Sequence, residues 1–136
     1  MRLPVDHVTA SLVLHDGDRS DVVIFVSRDV LGAREPFLPM IRAGKLALVA
    51  RGAIAALGLP SVPVAPKEDD LPVETQLASI RLRSGQLIEG ELRWTGPANS
   101  QRTADFLNSD EPFIKVHAAE TTYYVVKQHI ALVEER

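Results

Sequence analysis

The chain has no cysteine, which removes disulfides, thiolate nucleophiles and cysteine-ligated zinc together. Aromatic residues make up only 5% of a sequence that is 46% hydrophobic, so a core must be assembled from valine, leucine, isoleucine and alanine. No stretch reaches the roughly 20 apolar residues of a membrane helix. The opening residues Met1 to Asp6 carry no apolar run of signal-peptide length. A soluble protein of a reducing compartment, the cytoplasm, is expected.

Excess positive charge is also lacking. The net charge is −3, with seven basic and six acidic residues up to Leu59 and eight basic against twelve acidic residues from Pro60 onward. Nucleic-acid binding draws on clustered lysine and arginine, and here the basic residues are scattered among acids. Gly32, Gly44, Gly52 and Gly58 are too dispersed for a phosphate-cradling loop, and no Gly-x-Ser-x-Gly occurs. Asp16, Gly17, Asp18 lacks the downstream acidic ligands of a calcium loop and suits a hairpin turn. The histidines His7, His15, His117 and His129 have no ligand-pair spacing. No catalytic residue, metal site or cofactor is expected.

What is present is a degenerate tandem repeat. Leu3, Pro4, Val5, Asp6 returns as Leu71, Pro72, Val73, Glu74, and Ala10, Ser11, Leu12, Leu14, Gly17 align with Ala78, Ser79, Ile80, Leu82, Gly85 at an offset of 68. Glu35, Pro36, Phe37, Leu38, Met40 then align with Glu111, Pro112, Phe113, Ile114, Val116, and Val49, Arg51, Ile54 with Val125, Lys127, Ile130, at an offset of 76. The growth by eight marks an insertion near residues 96–110. The division is a first repeat over 1–59, a linker over 60–72 and a second repeat over 73–136. The linker holds Pro60, Pro63, Pro66 and Pro72 with Lys67, Glu68, Asp69 and Asp70, which makes it semi-rigid and poor in groups to bury. Each half alone has a thin core, so the halves are expected to pack together.

The patterning is that of short strands. Ser79 to Arg83 alternates polar and apolar, Ser84 and Gly85 turn, and Ile88, Leu92 and Trp94 share one face of a bent strand on which Gly90 permits a kink. Residues 112–117, 122–127 and 130–133 are short and rich in β-branched and aromatic side chains, giving about five strands per copy. In the first copy Val22 to Val26 is an unbroken apolar run, as for a strand covered on both faces. Val23 and Phe25 are therefore candidates for an assembly surface. Residues 45–59 fit a strand by alignment with Tyr123 to Val126, but Leu46, Val49, Ala50, Ala53 and Leu57 also make a helical stripe.

The strand, the Ser84–Gly85 turn, the Gly90 kink, the loop with Asn108 and the terminal Val125, Val126, Lys127, Gln128, His129, Ile130 together resemble the Sm-like, or LSm, small β-barrel. Val49, Ala50, Arg51, Gly52, Ala53, Ile54 in the first copy is similar to that family's second motif. The stretch Arg102, Ala104, Asp105, Phe106, Leu107, Asn108 looks like that of uncharacterised bacterial domains of the same barrel type. The resemblance implies an all-β protein of two tandem five-stranded Sm-like barrels packed as a pseudo-dimer in a bacterial cytoplasm. It also implies an RNA-binding alternative with Arg51, Asn108 and Lys127 as contacts. Against that alternative, Ser27 to Arg34 contains no Asn, and Asp105, Asp110 and Glu111 would repel a phosphate backbone beside Asn108.

Arg102, Asp105 and Asn108 share a face if helical, where they either meet a partner or cap a turn and form surface ion pairs. Phe106 and Leu107 lie inside a polar insertion and must bury against something, either their own core or a partner. The expected function is a non-catalytic protein-interaction or scaffolding module, with Arg102, Asp105, Phe106, Leu107 and Asn108 as its partner-binding loop. A protein partner or self-association is expected ahead of RNA. A structural oligomeriser with strands paired edge to edge is a third reading.

Overall fold

The structure, a computed structural model, describes residues 7–25, 35–61, 73–95 and 103–136. It is all-β apart from one short helix and two 3₁₀ turns. The strands are β1 (His7–Leu14), β2 (Arg19–Phe25), β3 (Phe37–Arg42), β4 (Lys45–Ala50), β5 (Ile54–Pro60), β6 (Val73–Leu82), β7 (Leu87–Thr95), β8 (Phe113–His117), β9 (Thr121–Val126) and β10 (Ile130–Glu135), with helix α1 (Thr103–Leu107) between β7 and β8. Their spatial order in a single antiparallel sheet is β10-β6-β7-β8-β9-β5-β1-β2-β3-β4. No helix among the described residues is long and apolar enough to cross a membrane.

The all-β expectation holds, but the ten strands form one sheet that is not closed into barrels. Each half has the order fifth, first, second, third, fourth strand, but β5 takes β9 of the other half as its second neighbour, with Ala56 opposite Val125 and Leu57 opposite Tyr124. A strand has two edges only, so β5 is unavailable to close its own half. Pro60, expected to open the linker, is the last residue of β5 and pairs with Thr121; the rest of that linker lies outside the described residues.

Pairing within the two halves coincides residue for residue. In β1–β5, Ser11, Leu12, Val13 and Leu14 face Gly58, Leu57, Ala56 and Ile54, and in β6–β10, Ser79, Ile80, Arg81 and Leu82 face Glu134, Val133, Leu132 and Ile130. The register slips at the corresponding place in each. Phe37 to Ile41 face Ala50 to Leu46, as Phe113 to His117 face Val126 to Thr122. The turn bonds agree as well: His15 N–H donates to the Ala53 carbonyl and Arg83 N–H to that of His129, while Arg51 N–H donates to Pro36 and Lys127 N–H to Pro112.

Two groups of buried side chains result. One holds Leu12, Val22, Ile24, Leu38, Met40, Ile54 and Leu57 of the first half. The other holds Ile80, Leu82, Leu92, Ile114, Val116 and Val125 of the second half, joined by Val13, Ala55 and Ala56 of the first. The strand without a wet face is therefore β5, whose Ile54 and Leu57 serve one group and Ala55 and Ala56 the other. On β2, Val22 and Ile24 are buried while Val23 and Phe25 are only half-buried, so the run beginning at Val22 alternates after all. The ambiguous stretch over 45–59 is strand, with a 3₁₀ turn at Arg51–Ala53 reversing the chain between β4 and β5.

Gly90 sits where β7 meets β8. A Cβ there would lie 2.8 Å from the His117 carbonyl oxygen and from Val116 Cγ1, and the backbone atom cannot swing away. Gly90→Ala is expected to destabilise the chain by about 1–3 kcal/mol in urea denaturation. Gly52→Ala, with no atom within 4 Å of its added Cβ, is expected to change stability by less than about 0.5 kcal/mol.

Candidate interaction surfaces

The insertion loop is tied to the molecule by its apolar residues. The ring of Phe106 stacks on Trp94 with centroids 5.4 Å apart and planes at 23°. Leu107 packs against the second buried group and Thr103 is buried. Just past the helix, Asn108 N–H donates to the Ala104 carbonyl at 2.9 Å, so the turn is completed by backbone. Phe106 and Leu107 thus anchor the loop in its own core, and Asp105 and Asn108 face outward. Arg102 lies outside the described residues, as does the Ser27–Arg34 loop.

The three residues of the RNA alternative do not converge as free donors. Lys127 Nζ donates to the Ser109 carbonyl at 2.8 Å and lies 3.2 Å from its hydroxyl, so its ammonium ties the end of the insertion to the last 3₁₀ turn. Arg51 lies across a shallow concavity of about 250 Å³ shared with Pro112, Phe113, Val126 and Gln128. Of the histidines, His129 Nε2 lies 2.9 Å from the Gly52 carbonyl oxygen and its ring centroid is 6.3 Å from that of His15. Val23 and Phe25 sit on a sheet face, since β2 is flanked by β1 and β3.

Beside the Trp94–Phe106 stack, Arg93, Glu111, Lys115 and His117 line a cleft of about 320 Å³. Lys115 Nζ lies 5.6 Å from the centre of the Tyr124 ring, and Arg93 forms an ion pair with Glu91. Partial burial holds the His117 imidazole below its ordinary value, Arg93 and Lys115 push it further down, and Glu91 opposes them.

The outer strands form a different kind of surface. Among the described residues β4 and β10 each have a neighbour on one side only, which leaves a row of backbone donors and acceptors on the outer side of each without a described strand partner. Natural sheets commonly blunt such edges with charge, but Leu46 and Leu48 on β4 are 65% and 63% exposed, and Leu132 on β10 is 39% exposed. Leu87, at the start of β7, is also exposed. The sequence reading puts Leu46, Leu48 and Leu132 in candidate strands, with Leu46 also in a helical stripe, but does not mark them as exposed, because an apolar residue on an edge strand has the same local pattern as one in a core. Comparison with protein-family models, curated proteins and solved structures finds no significant match.

Two outcomes follow from this geometry. Phe106→Ala is expected to cost about 2 kcal/mol, combining lost ring stacking with lost apolar burial. The emission of Trp94, the only tryptophan in the chain, should shift to the red as its ring becomes wetter. For His117, the depressed folded-state value means that the unfolded chain takes up the proton more readily. Its contribution to stability is present above the unfolded value of 6.5 and is lost as pH falls through the folded value. His117→Gln should therefore flatten the decline in denaturation midpoint as pH falls from about 7 through the folded-state value.

Proposed function

We propose that this chain is a non-catalytic protein-interaction module built from two related five-stranded units, and that it works by offering the open edges of its sheet to protein. The observation that carries this reading is the exposure of Leu46, Leu48 and Leu132 on the two strands that lack an outer neighbour among the described residues. An open edge supplies main-chain hydrogen bonds for strand addition, and flanking apolar side chains supply the burial that accompanies them. The coincident registers of the two halves support descent from one duplicated unit. On this reading the first half contributes the more apolar edge, and the second carries the insertion, held down by Phe106 and Leu107.

An RNA-binding role needs cations free to neutralise phosphates, and Lys127 is already engaged by Ser109. The test is a titration with short single-stranded RNA at increasing salt, read by anisotropy. Absence of binding at low salt is the expected result. Saturable binding that weakens steeply with salt and is lost in Arg51→Ala would replace this reading with the nucleic-acid one.

A further inference from the structure

We infer that the cleft between β7 and β8 binds a small organic monocarboxylate with a flat aromatic body, its ring against Phe106 and Phe113 and its carboxylate between Arg93 and Lys115. β7 and β8 are inner strands, so this site is separate from the two outer strands. It arises because β7 and β8 share one bridged pair, Glu91 with His117. Past that pair the chain leaves β7 for the insertion and returns at Phe113. The gap so opened, about 320 Å³, has Arg93 on one strand, Phe113, Ile114 and Lys115 on the other, and Phe106 of α1 beside them. That volume lies at the small end of ligand pockets and suits a mono- or bicyclic body.

The fold itself does not require the charges gathered there. At the offsets of 68 and 76, Glu91, Arg93, Lys115 and His117 correspond to Val23, Phe25, Pro39 and Ile41 of the first half. Val23 pairs with Ile41 as Glu91 pairs with His117, so the backbone places are the same. Four uncharged positions in one half are thus four ionisable ones in the other, all at one gap. The grouping also opposes itself: three basic side chains converge, and the imidazole is the one that yields its proton. Perturbed titratable groups in a cleft mark a site where charge is to be met.

Both cations keep donors to spare. Only Arg93 Nε is taken, by Glu91, which leaves the two Nη groups without a partner among the described residues. The Lys115 ammonium lies 5.6 Å from the centre of the Tyr124 ring and forms no ion pair among those residues. Charge then sets the valence of the ligand. Arg93 and Lys115 are offset by Glu91 and by Glu111 on the cleft wall, and Glu89, in the concavity on the other side of His117, is held by Arg136. A dianion such as a phosphate ester would leave uncompensated negative charge, whereas one carboxylate is balanced when His117 takes up a proton. Burial first, then Arg93 and Lys115, keep that imidazole below its ordinary value against the opposing Glu91. An anion between the two cations reverses their influence and raises it. Binding therefore strengthens as pH falls towards the range in which His117 titrates. The walls choose the rest of the molecule: Phe106 and Phe113 offer ring faces and edges for offset or tilted packing, and Phe113 is braced by Tyr124 at 5.8 Å between centroids.

The full chain titrated with 2-naphthoate, followed by Trp94 emission and by the His117 imidazole signals in NMR, provides the test. 2-Naphthoate should bind saturably with a Kd of about 1 mM or below, and 2-naphthamide, acetate and inorganic phosphate about tenfold more weakly or worse. Its affinity should rise about threefold between roughly pH 7.5 and pH 6, with His117 titrating higher in the complex than in the free chain. His117→Gln should still bind but lose that rise. Lys115→Gln should bind about tenfold more weakly at an unchanged urea midpoint, and Lys115→Arg should bind as the unsubstituted chain does. Absence of saturation at several times ~1 mM overturns the inference. Equal binding of 2-naphthamide overturns it in favour of a plain apolar crevice, and equal binding of phosphate in favour of an unselective cationic patch. So does an affinity indifferent to both Lys115→Gln and pH.

Discussion

The antiparallel pairing of β5 with β9 is the constraint on which the rest of the structure depends. It makes β5 an interior strand, and an interior strand between two packed groups has no wet face. Ile54 and Leu57 fill one group and Ala55 and Ala56 the other. The small residues are as necessary as the large ones, because β5 must let the Tyr123 ring lie over Gly58. The same pairing consumes the edge with which β5 would have closed its own half, leaving an open ten-stranded sheet.

Around that seam several local polar contacts join the described residues of the two halves. Arg19 reaches the Tyr123 hydroxyl, Gln86 reaches the Gly17 carbonyl at 2.6 Å, and His129 lies against the Gly52 carbonyl. They tie together the hairpin turns and 3₁₀ turns that recur in both halves. Exposed polar pairs of this sort contribute little energy individually. Their role is alignment, while burial of Val13, Ala55 and Ala56 in the second half's core supplies cohesion. The insertion is a separate addition: α1 closes over Trp94 and is held at its far end by Lys127. Its apolar residues are spent on anchoring, while the exposed large apolar side chains among the described residues include Leu46 and Leu48 on β4 and Leu132 on β10, with Phe37, Leu77 and Leu87 on the inner strands β3, β6 and β7.

Much of this architecture was legible in the residues. The period-two alternation of β6, the turn at Ser84 and Gly85 and the need for a missing side chain at Gly90 all have direct counterparts in the structure. These are local features, set by backbone sterics and by which face of a strand can be wet. The anchoring of Phe106 and Leu107 was also foreseeable as one of two outcomes, since large apolar side chains in a polar loop require cover.

The alternation of β6, the turn after it and the missing side chain at Gly90 were thus determined by the sequence itself, through periodicity and the chemistry of its turns. Only the tertiary structure decided which strands have two neighbours. The run from Val22 and the run from Ile54 are both apolar, yet the first alternates in burial and the second is covered on both faces. The difference comes from an edge pairing across the chain, between residues 67 positions apart in Leu57 and Tyr124. Closure against continuation, and hence two barrels against one open sheet, turns on that long-range choice of partner, which no local pattern encodes.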